Sequence, residues 1–186
     1  MPIAALRAVL ASAAFLATLA PSPAWAQELR PAGLYVQGGG GESGLRAGSL
    51  GLVWPWRWSR QAGGGELTAS TELFASHWRA RGFGGGHQGF TQVGVVPMLR
   101  YRFAEGRSPW FVEAGIGLSV IDRRFVTPAR NQGSRWNFSD NLALGHSFGR
   151  AGEHEVSLRW QHTSNAGLKD PNPGVDLVML RYATRF

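Results

Sequence analysis

A histidine and a serine two residues apart, in His162-Thr163-Ser164, close a run that alternates apolar and polar, and a carboxylate, Asp176, opens the next such run. Alternate residues of a β-strand project to the same face. Val156, Leu158, Trp160, His162 and Ser164 therefore share one face, opposite Ser157, Arg159, Gln161 and Thr163. In the last segment Asp176 falls in register with Val178, Leu180, Tyr182, Thr184 and Phe186. A serine hydroxyl becomes a nucleophile when an imidazole takes its proton, and a carboxylate orients that imidazole. His162 and Ser164 are about 7 Å apart along a strand, so their side chains can meet. Asp176 on an antiparallel neighbour can approach His162 from the side. Acyl transfer also needs donors for an oxyanion, and the Asn165 amide with the backbone N–H groups of Ala166 and Gly167 follows directly. On spacing alone the motif is weak, because a histidine and a serine at a strand end that meets water would look the same.

The elements that must hold these groups alternate with period two rather than 3.6. Strands are expected over roughly 33–41, 45–58, 65–79, 89–103, 108–120, 134–148, 152–164 and 174–186. In the clearest, Trp110, Val112, Ala114, Ile116, Leu118 and Val120 oppose Glu113, Gly115, Gly117 and Ser119. Glycine punctuates the chain, and its runs at Gly38–Gly41, Gly63–Gly65 and Gly84–Gly86 read as hairpin turns. Strands this long exceed those of a soluble sandwich, commonly about 5–6 residues. They suit a tilted membrane crossing of about 9–11 residues in a barrel of even strand number. The fold class expected is all-β, an eight-stranded antiparallel transmembrane β-barrel whose narrow interior is filled by small side chains. Trp54, Trp56, Trp58, Trp110, Trp136, Trp160 and Tyr182 near strand ends fit interfacial girdles. The tail Tyr182-Ala183-Thr184-Arg185-Phe186 resembles the C-terminal assembly signal of bacterial outer-membrane proteins.

Export fits this reading. Arg7, the apolar run from Ala8 to Ala20 and the A-x-A site Ala24-Trp25-Ala26 form an expected signal peptide over residues 1–26, with the barrel over 27–186. No later segment reaches the ~20 apolar residues of a spanning helix. There is no cysteine for disulfides or thiolate metal sites. A pI near 11.2 would raise nucleic-acid binding. Export and the dispersal of the basic residues, all arginine except Lys169, argue against it and leave a phosphate-bearing outer leaflet as a partner.

With both termini periplasmic, odd strands run outward. His162 and Ser164 then end the seventh strand at its extracellular tip, Asp176 begins the eighth there, and Ala166–Pro173 is an extracellular loop. The three groups sit on the outside wall at the depth of the outer leaflet. Polar groups facing lipid are costly and tend to be functional, which sharpens the motif. His77, His87, His146 and His154 show no ligand spacing, and Glu66, Glu72 and Glu113 are expected to pair with luminal arginines.

The run His162-Thr163-Ser164-Asn165-Ala166-Gly167-Leu168-Lys169, followed by Pro171-Asn172 and Gly174-Val175-Asp176, resembles the C-terminal signature of the lipid A 3-O-deacylases of PagL type. The close match covers roughly residues 160–176. That family consists of eight-stranded outer-membrane barrels that hydrolyse the 3-position ester of lipid A. By position the resemblance implies Ser164 as nucleophile, His162 as general base, Asp176 as the orienting acid, and Asn165 and Gly167 as oxyanion residues. Many members have glutamate where this chain has Asp176. Aspartate is one methylene shorter, so its reach must come from backbone placement.

The function expected is an outer-membrane serine esterase acting on lipid A, with no metal or organic cofactor and no nucleic acid. Lipopolysaccharide is the expected substrate and the outer membrane the expected location; a homodimer is one open assembly, and the sequence does not fix the oligomeric state. A non-catalytic structural or adhesion barrel, or a phospholipase or acyltransferase on the same architecture, are the alternatives.

Overall fold

The computed structural model describes residues 30–186, and the expected signal peptide lies outside them. Eight strands, β1 (Gly33–Gly41), β2 (Arg46–Ala62), β3 (Gly65–Arg81), β4 (His87–Phe103), β5 (Trp110–Ile121), β6 (Trp136–Phe148), β7 (His154–Ser164) and β8 (Val175–Arg185), pair in sequence order. All pairs are antiparallel, and β1 meets β8 from Gly33↔Arg185 to Gly41↔Leu177, closing the barrel. Closure removes the free edges that no open sheet can satisfy in lipid.

Period-two patterning decides which side faces out. Leu50, Leu73, Leu118, Leu142, Leu144, Leu158, Val178 and Leu180 form an exposed apolar belt, while their sequence neighbours are buried inside. β2 outlasts its expected end near residue 58, because the ladder shifts between Pro55 and Ser59 and then resumes to Ala62. A proline cannot donate to a ladder, so an irregularity beside it costs little pairing.

The lumen is filled by larger and more polar side chains than the small residues expected. Glu72 accepts from Arg159 Nη1 at 2.7 Å and from Arg181 Nη2 at 2.9 Å. Glu113 pairs with Arg100, which also forks onto Glu155 at 2.6 and 2.7 Å. Buried carboxylates and guanidinium groups persist only when paired in this way.

Above this network, towards the end carrying His162, Trp78, Phe90 and Phe125 plug the barrel. The Trp78 and Phe90 rings stand 5.5 and 4.8 Å from that of Phe125. Phe125 belongs to the β5–β6 loop, so its burial pins that loop across the mouth.

Of the glycine runs expected as turns, Gly63 and Gly64 make the β2–β3 hairpin at φ 57 and 78. Gly38–Gly41 instead belongs to β1. Its glycines let β1 approach β8 closely, and a Cβ on Gly41 would collide with the Asp176 carbonyl oxygen.

Candidate active site

The register of β7 on β8 sets the first contact. His162 and Asp176 are direct cross-strand partners, and Nδ1 of the imidazole lies 2.9 Å from Oδ1 of the carboxylate. A carboxylate can only accept, so this hydrogen bond uses the Nδ1 proton of the ring and leaves Nε2 turned away from Asp176. The short aspartate reaches because its backbone is directly opposite the histidine. On the other flank, Asp140 of β6 is likewise the cross-strand partner of His162. The imidazole therefore stands between two outward-facing carboxylates.

Trp160, two residues earlier on the same face, stacks on the His162 ring at 5.8 Å and 22°. Beside it lie Leu142 and Val178, its cross-strand partners on either side and both exposed. The polar pair thus sits at the rim of an apolar wall.

Ser164 is the last residue of β7, on the same face as His162 and only 8% exposed. Its hydroxyl makes no hydrogen bond among the described residues. The strand ends there in a tight turn. Leu168 N–H donates to Asn165 O at 3.0 Å, with Ala166 and Gly167 both at positive φ, 54 and 76. Two consecutive left-handed residues give a type I′ geometry, and placing alanine in one of them costs about 1–2 kcal/mol. Such strain is held where surrounding contacts over-determine it.

Those contacts come from Asn165. Its Oδ1 accepts from Gly167 N–H at 3.0 Å, and its Nδ2 donates to Lys169 O at 2.7 Å and Ser134 Oγ at 3.0 Å. Its own N–H donates to Asn172 Oδ1 at 3.0 Å. Asn165 and Gly167 therefore engage each other, and the Ala166 N–H between them donates to none of the described residues.

Sequence reasoning gave no role to the β5–β6 loop, residues 122–135, yet it frames the whole site. Gln132 Nε2 donates to Thr163 O at 3.0 Å, and Gly133 N–H to Pro171 O at 2.7 Å. Arg130 Nη1 donates to Pro173 O at 3.0 Å and Gly174 O at 3.1 Å, while its Nη2 pairs with Glu42 of the β1–β2 turn. Local patterning carries no signal for these contacts, because side chains meet main-chain carbonyls far away in the chain.

The fold and site together are a closed antiparallel β-barrel that carries a hydrogen-bonded histidine–carboxylate pair and, two residues further along the same strand face, a serine that is not hydrogen-bonded to it. A sequence model described as "Lipid A 3-O-deacylase (PagL)" matches residues 43–185, and the chain belongs to that family. It is 39% identical over 135 residues to lipid A deacylase PagL of Bordetella bronchiseptica, covering 71% of each. It is 35% identical over 146 residues to lipid A deacylase PagL of Pseudomonas aeruginosa, covering 78% of this chain and 80% of that relative. Among solved structures, the crystal structure of the outer membrane enzyme PagL superposes with a TM-score of 0.72 at 32% identity, covering 83% of this chain and all of the other.

Proposed function

We propose that this chain is an outer-membrane esterase that hydrolyses the 3-O-linked acyl chain of lipid A on the outer wall of its barrel. The observation that carries the reading is the His162–Asp176 hydrogen bond at the rim of the apolar wall, in a chain whose relatives are named lipid A deacylases.

The end bearing the 165–174 loop faces the cell exterior, so a lipid of the outer leaflet reaches Ser164 laterally. Acyl chains lie along Trp160, Leu142 and Val178. Ser164 Oγ attacks the ester carbonyl while His162 Nε2 takes its proton, and Asp176 stabilises the imidazolium that forms. The oxyanion rests on the turn after the serine. Ala166 N–H is the donor standing open there, and Asn165 and Gly167 shape the turn and complete the site. Collapse expels the sugar 3-hydroxyl, which receives the proton from His162. Water, deprotonated by the same imidazole, then cleaves the acyl-serine and releases a fatty acid.

The test is a comparison of substrates. Purified protein in detergent is given lipid A and, separately, a glycerophospholipid, and the released fatty acid is identified. Release of the 3-hydroxy acid from lipid A alone supports the deacylase. Release from the glycerophospholipid alone would make it a phospholipase, and release from neither would leave a structural barrel.

A further inference from the structure

On the outer wall, at the same end as His162, three arginines converge without an acid. Arg46 of β2 and Arg79 of β3 are direct cross-strand partners, and Arg81 on β3 faces His87 of β4 in the same way. All four side chains are exposed and point outward. With Gly44 they line a hollow of about 330 Å³, roughly ten water volumes. Among the described residues, no carboxylate lies within ion-pair distance of Arg46, Arg79 or Arg81. Glu42 and Asp176, which line the adjoining cavity with Arg81 and His87, are engaged with Arg130 and His162.

Like charges directly opposite on a sheet destabilise it, and elsewhere in this barrel buried arginines are matched with glutamates. An unmatched cluster calls for an anion from outside. Guanidinium groups fit phosphate bidentately, and the small Gly44 leaves the approach open, with Arg81 Nε lying 3.4 Å from where a Cβ would stand. The depth identifies the carrier of that phosphate. Further along the same outward rows, past Gly48, His77 and Thr91, come the exposed Leu50, Leu73 and Val93 of the apolar belt. The guanidinium groups therefore lie on the outer side of the apolar belt, beyond the Gly48–His77–Thr91 rung, the level of lipid headgroups rather than acyl chains.

We propose that Arg46, Arg79, Arg81 and His87 form a binding site for the phosphate of a phosphorylated outer-leaflet lipid, beside the Ser164–His162–Asp176 centre, since Arg81 and His87 also line the neighbouring cavity that reaches Glu42 and Asp176. The inference rests on the proposed orientation, with this end of the barrel outside. Through Gly40, Arg46 shares a ladder rung with Val178 of β8. Counted around the wall from β8, the cluster lies two strand spacings away at Arg46, three at Arg79 and Arg81 and four at His87, about 10–19 Å.

The probe is lipid A whose O-acyl chains have been removed by mild base, leaving both phosphates and no ester for Ser164 to act on. Its phosphatase-treated counterpart is the comparison. The full chain is reconstituted in phosphatidylcholine nanodiscs, and retained probe is counted by native mass spectrometry. The expected result is phosphate-dependent retention that falls at least tenfold in the Arg46→Gln/Arg79→Gln variant and is unchanged in Arg150→Gln at the opposite end. Equal retention with and without phosphates, or equal loss in both variants, would overturn the site. Displacement of the probe by millimolar inorganic phosphate would overturn the lipid as its ligand. Because the probe carries no ester, this outcome is independent of whether the chain hydrolyses lipid A. Folding of each variant is checked by its heat-modifiable migration on a gel.

Discussion

Gly174 lies so close to His162 that a Cβ on it would stand 2.6 Å from Cε1 and 3.2 Å from Nε2 of the ring. Its φ of 68 is also one that favours glycine. The backbone just before Asp176 is thus a wall against which the imidazole rests, with Trp160 on another side. Gly174→Ala should push the ring off Asp176 and strain the loop by about 1–2 kcal/mol. Misplacement of a catalytic group by about 1 Å can cost on the order of 10²-fold in rate. The expected outcome is a kcat loss of that size with the barrel still folded, measured as fatty-acid release alongside the unfolding midpoint.

Arg130 reaches the same wall from the β5–β6 loop, holding the carbonyls of Pro173 and Gly174. Arg130→Gln should lower kcat roughly tenfold while leaving the plugged mouth intact, since Phe125 anchors the loop independently. Arg130→Lys should recover only part of the loss. An ammonium is a point charge and does not reproduce the planar fork that spans two carbonyls and Glu42. Steady-state kinetics of the two variants check this.

Asp176→Asn keeps the size of the acid but removes its charge and permits the wrong imidazole tautomer. If Asp176 orients His162 as in a serine triad, a loss on the order of 10⁴ in kcat is expected from that change. Asp176→Glu should retain activity within about tenfold, because the direct register with His162 places the backbone close enough for either acid. Asp140→Asn, on the other flank, should cost less than Asp176→Asn, since it is the Asp176 carboxylate that accepts from Nδ1.

Glu72 separates stability from chemistry. It takes hydrogen bonds from both Arg159 and Arg181 in the buried lumen. Removing one partner of a buried ion cluster leaves uncompensated charge and costs about 3–5 kcal/mol. Glu72→Gln should therefore lower the urea midpoint of the barrel reconstituted in lipid, with unchanged activity per folded molecule.

Strand positions and the in–out assignment of each side chain were legible because alternation is a local, period-two signal. The same parity put His162, Ser164 and Asp176 on one apolar wall. Direct pairing of His162 with Asp176 followed from a hairpin whose register the sequence only implied. The β5–β6 loop stayed dark, because it has no period and acts through contacts such as Arg130 to Gly174, forty-four residues apart. The luminal network was visible as polarity, but not as which arginine meets which glutamate. Gly38–Gly41 misled, since glycine marks close backbone approach in a strand as readily as a turn. The engagement of Asn165 with Gly167, Lys169 and Ser134 likewise emerges only in three dimensions.

The most direct test of the central claim is a mass spectrum of lipid A from cells expressing this chain or its Ser164→Ala variant. Loss of one 3-hydroxyacyl mass with the wild type and an unchanged spectrum with the variant, at equal amounts of folded barrel, is the predicted result. The same loss with Ser164→Ala would contradict Ser164 as the nucleophile. An unchanged spectrum with the wild type would contradict deacylation of lipid A in that membrane.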